Sequence, residues 1–238
     1  MKTTAKLLGA ALMLPLLASV GLPPKAAQAQ SLLEGDLSFE LGRNREKSRN
    51  FKHIATSMGR TFDSGFGVQL DLAIGKYENV TSTNPAAALH LYYAPDDTWA
   101  LGGFILGEDQ RPGNYVYLGL EAAYETGPLS VEGYAAHRND RAAAFNGDRY
   151  GMEVAYAPDT WSGFGLFGGA HNENDLPAGE KSIAYLGTDY RFDNNTEVAL
   201  QVGRSDLKHT VASVRYQINF GPGSKFTRRH GQGVFDGY

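Results

Sequence analysis

Val211 to Phe220 reads VASVRYQINF, and its strict two-residue alternation leaves few folds open. Thr210, Ala212, Val214, Tyr216, Ile218 and Phe220 share one parity; Ser213, Arg215, Gln217 and Asn219 share the other. Successive side chains of a strand point to opposite faces, so this segment is a strand with one apolar and one polar face. The apolar face can rest on a protein core or on lipid. A single strand does not decide which.

The N-terminus narrows the choice. Lys2 and Lys6 precede a short apolar run, Leu7 to Val20, and Ala27-Gln28-Ala29 is a small-x-small cleavage signature. This is the pattern of an export signal over residues 1–29, and the mature chain is expected to start at Gln30. No Cys follows the apolar run, so no lipid anchor on a mature N-terminal Cys is expected, and with no Cys anywhere there is neither a disulfide framework nor thiolate chemistry. Lys2, Lys6 and Lys25 leave with the signal, so 19 Lys+Arg face 26 Asp+Glu, a charge of −7. That balance argues against a nucleic-acid partner. No later apolar run reaches the ~18 residues of a membrane helix. A membrane protein of this sequence must therefore be a closed barrel, the other structure that satisfies its backbone in lipid.

Alternation recurs along the chain. Leu37, Phe39 and Leu41 alternate with Ser38 and Glu40; a basic segment, Arg43 to Asn50 (RNREKSRN), follows as a loop. Phe51 to Phe62 is a second strand whose parity is open, because Lys52 and Arg60 share a face with Ile54 and Met58. Phe66, Val68, Leu70, Leu72 and Ile74 alternate with Gly67, Gln69, Asp71, Ala73 and Gly75. Further strands are expected around Leu89–Tyr93, Trp99–Gly107, Val116–Tyr124, Leu129–Arg138, Arg149–Tyr156, a Gly-rich segment opened by Trp161, Ala184–Arg191 and Glu197–Gly203. With the closing strand the count is twelve. Short Gly/Pro/Asp/Asn turns alternate with mostly longer polar loops, such as ENVTSTNP at 78–85 and EDQRPGN at 108–114. Up-and-down membrane barrels show this asymmetry, and an even strand count places both termini on the short-turn, periplasmic side.

An internal repeat fits that arrangement. Tyr93-Ala94-Pro95-Asp96-Asp97-Thr98-Trp99 recurs as Tyr156-Ala157-Pro158-Asp159-Thr160-Trp161, both at short turns. Trp and Tyr favour the membrane interface, so Tyr93, Trp99, Tyr156, Trp161, Tyr216 and Phe220 are expected in an aromatic girdle. The same pattern is compatible with ordinary turns beside core aromatics.

From Leu33 to Phe220 the chain resembles the Gram-negative outer-membrane β-barrel superfamily. The signal peptide, the strand and loop alternation, and Val214-Arg215-Tyr216-Gln217-Ile218-Asn219-Phe220, similar to the aromatic-terminated assembly signal of that superfamily, carry the resemblance. In size and strand count the chain is similar to small twelve-stranded porins. The resemblance implies an all-β, up-and-down antiparallel transmembrane barrel over residues 30–220. It implies outer-membrane localisation and contact with the barrel-assembly machinery, membrane lipid and lipopolysaccharide. The expected activity is passive diffusion of small hydrophilic solutes.

The polar parity supplies the expected lumen: Glu40, Asp71, His90, Glu121, Glu132, Arg138, Arg149, Glu153, Asp189, Arg191, Glu197 and Arg215. Acid exceeds base there, and rings of charge set ion preference. Small residues on that parity, among them Gly67, Gly119, Gly151 and Gly187, are expected to leave open space. Two readings stay open: a narrow water-filled pore mildly favouring cations, or a structural or surface-binding barrel closed by its own salt bridges. In the second, the basic RNREKSRN segment contacts lipopolysaccharide phosphates. An enzyme is not expected. None of the six histidines stands in a His-x-Ser arrangement, and His53 and Ser57 lie four strand residues apart, about 13 Å. No cofactor is expected; the loop HNEND (171–175) could hold a divalent cation but reads better as a solvated loop, so no metal is assigned. After Phe220, residues 221–238 are Gly-rich and locally basic. They are expected to form a flexible periplasmic tail. The other reading folds them back to plug an acidic lumen.

Overall fold

The computed structural model describes residues 34–78, 83–110, 113–139, 146–174, 181–205 and 208–226. The expected signal segment and residues 227–238 lie outside these. Twelve strands form: β1 Glu34–Asn44, β2 Arg49–Thr61, β3 Phe66–Tyr77, β4 Asn84–Tyr93, β5 Trp99–Gln110, β6 Gly113–Thr126, β7 Leu129–Asn139, β8 Gly147–Tyr156, β9 Phe164–Glu173, β10 Lys181–Arg191, β11 Thr196–Ser205 and β12 Thr210–Phe220. Each pairs antiparallel with its sequence neighbours, and β1 pairs with β12, so the sheet is a closed barrel. At 10–14 residues the strands are long enough to cross a bilayer at a tilt.

Closure removes the sheet edge that lipid could not satisfy. The β1–β12 seam runs from Gly35 opposite Phe220 to Asn44 opposite Val211. At the end of the seam beside the β1–β2 turn the Arg45 N–H donates to the Thr210 carbonyl (2.9 Å), and the Thr210 N–H donates to the Glu46 carboxylate (2.6 Å). The second of these bonds holds the Glu46 carboxyl below its usual range.

Burial is inverted relative to a water-soluble fold. Leu118 and Leu120 on the outer wall are 70% and 73% exposed, whereas Tyr117 and Arg138 on the inner wall are fully enclosed. The alternation therefore sends apolar side chains to the outer surface, the face that meets lipid in a membrane barrel, and polar ones inward. Strand β2 resolves the same way. Phe51, His53, Ala55, Ser57 and Gly59 are buried inside, which leaves Lys52 and Arg60 outside with Ile54 and Met58. Both cations sit near strand ends, where long side chains reach the interface. Arg60 also lies 5.5 Å from the ring of Phe62.

Several expectations need correction. RNREKSRN is not a loop: its ends extend β1 and β2, and only residues 45–48 turn. Cross-strand pairing from Arg43–Asn50 to Asn44–Arg49 captures those residues. EDQRPGN likewise contributes Glu108–Gln110 to β5 and Gly113–Asn114 to β6. Connection lengths are consequently less asymmetric than expected. Trp99 opens β5, but Trp161 does not open β9: it ends a single 3-10 turn, Asp159–Trp161, and the strand begins at Phe164. Ser162 and Gly163 both have positive φ, which breaks the extended backbone between them and the repeat.

Of the tail, for which the sequence leaves both a free and a folded-back segment open, only residues 221–226 are described. Gly221 has φ of 60° and turns the chain back at the end of β12. Residues 221–226 enter the barrel. Ser224 Oγ donates to Asp36 Oδ2 (2.7 Å), and Phe226 is fully buried.

The residues expected in a girdle face outward near the rim where β1 begins and β12 ends. Tyr93 meets Trp99 edge-on at 5.9 Å, and Tyr156 meets Trp161 edge-on at 5.5 Å. Tyr216 and Phe220 are exposed on β12. Phe66, Phe164, Tyr190 and Phe192, which alternation alone did not distinguish from other outward apolar residues, extend the belt through ring contacts of 4.7–5.1 Å.

Candidate functional site: the barrel lumen

All twelve residues assigned to the lumen lie on inward-facing parities, but the structure sorts them into separate groups. Near the end of the barrel that carries the β1–β2 turn, Arg149 from β8 holds Glu108 of β5 (2.8 Å) and Glu173 of β9 (2.8 Å). Its guanidinium lies 4.1 Å over the ring of Tyr117, whose hydroxyl donates to Glu173 (2.7 Å). Arg138 from β7 adds a second ion pair to Glu173 and covers Tyr115 at 5.2 Å. Two cations and two carboxylates thus neutralise one another in a dry pocket, where such pairs hold only if every charge has its partner. Across the same end, Phe51, Ile183 and Val211 pack together from β2, β10 and β12.

Lower down, His90 lies between two carboxylates. Its Nδ1 is 2.8 Å from Glu121 and its Nε2 is 3.3 Å from Asp71. The imidazole stacks on Phe104 at 5.5 Å. Around the wall, His171 is bracketed by Tyr134 (2.9 Å) and Tyr185 (3.2 Å), and the Tyr185 hydroxyl donates to Glu153 (2.6 Å). Glu132 stands directly opposite Glu153. At the opposite end, where β12 closes, Glu197 bridges Arg191 (3.3 Å) and Arg215 (3.2 Å), with Asp189 3.8 Å from Arg191. Glu40 faces Arg215 across the β1–β12 seam. Among the described residues no group of three or more His, Asp or Glu is arranged to hold a metal ion.

The small inward residues do not act as expected. A Cβ at Gly67 would run into the Tyr92 ring, one at Gly119 into Phe104, and one at Gly187 into Phe167. The glycines are seats in which large rings lie against the wall.

Filling is uneven. From β2 through β7 the interior is packed with Phe51, Tyr92, Phe104, Leu106, Tyr117 and Tyr134, all buried. On β12 the inward Ser213, Arg215, Gln217 and Asn219, with Glu40 of β1 and Gln201 of β11 beside them, keep partial exposure, whereas Asp36, Ser38 and Asn44 of β1, Glu197, Ala199 and Ser205 of β11 and Val211 of β12 are buried. Sequence reasoning missed Glu108 and Glu173, because both fall in segments rich in loop-forming residues. It also missed Phe226, whose only signal was an aromatic within a Gly-rich tail.

Comparison by sequence finds no match to any protein-family profile or to any curated protein. Comparison of the fold finds many. A NanC porin superposes with a TM-score of 0.61 over 77% of this chain and 98% of that one, at 12% identity. A KdgM porin gives 0.57 over 78% and 99%, at 13% identity. Outer membrane phospholipase A from Escherichia coli gives 0.55 over 78% and 90%, also at 13% identity. At these identities the likeness concerns the fold. The chain has the fold of the Gram-negative outer-membrane β-barrel superfamily and is similar in size and strand count to the small twelve-stranded porins.

Proposed function

We propose that the protein is an outer-membrane channel for passive diffusion of small hydrophilic solutes, with a mild preference for cations. The observation that carries this reading is the partly exposed polar lane centred on β12, from Ser213 to Asn219 with Glu40 and Gln201 beside it, below the packed Phe51, Ile183 and Val211. Inward side chains that retain accessible surface border space that water can fill. Acid outnumbers base along the inner wall, so the lane lies in a negative field that attracts cations and repels anions. One similar porin is described in complex with oligogalacturonate, an acidic sugar chain. The acid-rich interior here points to a different solute charge.

A non-catalytic role is part of the proposal. The outer wall carries one His–acid pair, His137 Nδ1 to Asp148 Oδ1 at 2.8 Å, beside a groove of about 780 Å³. No Ser, Thr or Cys lines that groove. A hydrolase of the Ser–His type needs a nucleophile within hydrogen-bond reach of the imidazole. The exposed cations Arg43, Arg45 and Arg49 at the extracellular rim suit lipopolysaccharide phosphates, a contact the channel reading accommodates.

Planar-bilayer recording of the purified, folded protein tests the proposal. Discrete conductance steps are expected, with a reversal potential in a KCl gradient displaced toward that of K⁺. Silent bilayers would reject the channel in favour of a structural barrel. A displacement toward Cl⁻ would reject the cation preference alone.

A further inference from the structure

The described part of the tail crosses the periplasmic mouth of the barrel. It leaves β12 at Phe220, turns at Gly221, bonds to Asp36 on β1 through Ser224, and ends with Phe226 on β3, β4 and β5. Counting around the wall from β12 through β1, β5 is five strands away, one short of diametrically opposite. Strands about 4.8 Å apart and tilted by about 40° give twelve strands a backbone diameter of roughly 24 Å. Six extended residues reach about 20 Å, and lining side chains supply the remainder. The segment therefore spans the lumen as a chord.

Its end is held on all sides. The Phe226 N–H donates to Gln69 Oε1 (3.1 Å), and Gln69 Nε2 donates to the Phe226 carbonyl (2.9 Å). This two-bond exchange is how one strand residue reads another, performed here by a side-chain amide. The Phe226 ring stacks on His90 at 6.1 Å and 16°, meets Tyr92 edge-on at 5.6 Å, and packs with Ala94 and Ala100. Gln69 also donates to Asp71 (2.9 Å), so the amide is oriented by the same carboxylate that flanks His90. Tyr92 is pinned by Thr61 at 3.0 Å. A seat this specific is more than a tail resting in a hole.

Resting on the channel reading above, we infer that Phe226 is an autoinhibitory latch: docked between Gln69, His90 and Tyr92, it narrows the periplasmic half of the lumen, and its withdrawal widens the path. Among the described residues the latch is held by one ring, the two bonds between the Phe226 main chain and the Gln69 amide, the Ser224–Asp36 bond and the attraction of Lys225 for Glu34. It can leave without disturbing the wall, because its partners belong to strands paired elsewhere.

The test uses the full chain and two readouts. Ala100 is fully buried beside Phe226, and the chain has no native Cys, so A100C reports on the seat by its reaction with a methanethiosulfonate reagent. The latch predicts slow labelling with Phe226 present and labelling at least tenfold faster with F226A. F226D, which places a carboxylate near Asp71, the partner of Gln69 and His90, is expected to act at least as strongly. In bilayers, F226A and F226D without A100C are expected to raise single-channel conductance at least twofold. Unchanged labelling in both variants would overturn docking. Faster labelling with unchanged, non-zero conductance would overturn gating while leaving the channel. Silence of wild type and variants alike would overturn the channel and the latch together.

Discussion

Arg149 is the inner-wall residue whose removal should cost most. It contacts Glu108, Glu173 and Tyr117 at once and is almost wholly enclosed. Arg149→Ala leaves two buried carboxylates with one cation fewer between them. Breaking a buried pair from one side costs about 3–5 kcal/mol, and urea unfolding in lipid vesicles should show a loss of that size. A loss below about 1 kcal/mol would mean that water reaches the cluster and screens it. Replacing Arg149 alone is also the sharper choice over replacing a glutamate, since Glu173 has Arg138 as a second partner. Residue chemistry was the least legible scale in the sequence. Alternation put Arg149 inside but could not pair it with Glu108, because strand order around a barrel brings together residues that are 41 apart. The glycines were read as open space for the same reason: the rings that occupy their faces come from other strands.

Strands were far more legible. Period two is a local property, so Phe66–Ile74 could be read from nine residues. Where apolar and charged residues share a parity, as Lys52 and Arg60 do with Ile54 and Met58, the local signal fails and only the neighbours decide. Loop residues within strands, such as Glu108–Gln110, were hidden because composition favours turns, whereas cross-strand hydrogen bonding overrides propensity. The outer face of β6 offers the direct test that the exposed parity meets lipid. Leu120 is flanked by Leu118 and Ala122 near the centre of the strand. Leu120→Arg should cost about 2–4 kcal/mol in a bilayer, the penalty for a cation at the midplane of a barrel wall. The same substitution nearer the strand end, at Tyr124, should cost about 0–1 kcal/mol for the charge, and comparing the two unfolding curves gives the depth dependence. Equal costs would mean that this wall does not sit in hydrocarbon.

For the whole molecule, the balance of charge along the lane should decide which ions pass. The two Arg–Glu groups at the barrel ends are internally neutral or nearly so, and Asp36, Glu40, Asp71, Glu121, Glu132 and Glu153 lie on the inner wall between or beside them. Glu40 is the member bordering the partly exposed lane, opposite Arg215. Glu40→Lys replaces an acid with a base at that point and should move the reversal potential toward zero or toward Cl⁻. Asp109→Lys makes the same two-unit change on the outward, exposed side of β5 and serves as the control. At physiological salt a charge is screened over about 8 Å, so a residue outside the wall should leave selectivity unchanged. The two variants have equal net charge, so any difference between their reversal potentials comes from position. If Asp109→Lys shifts selectivity as much as Glu40→Lys, ions are sorted at the mouth by the overall field of the protein, and the polar lane centred on β12 is not the path they take.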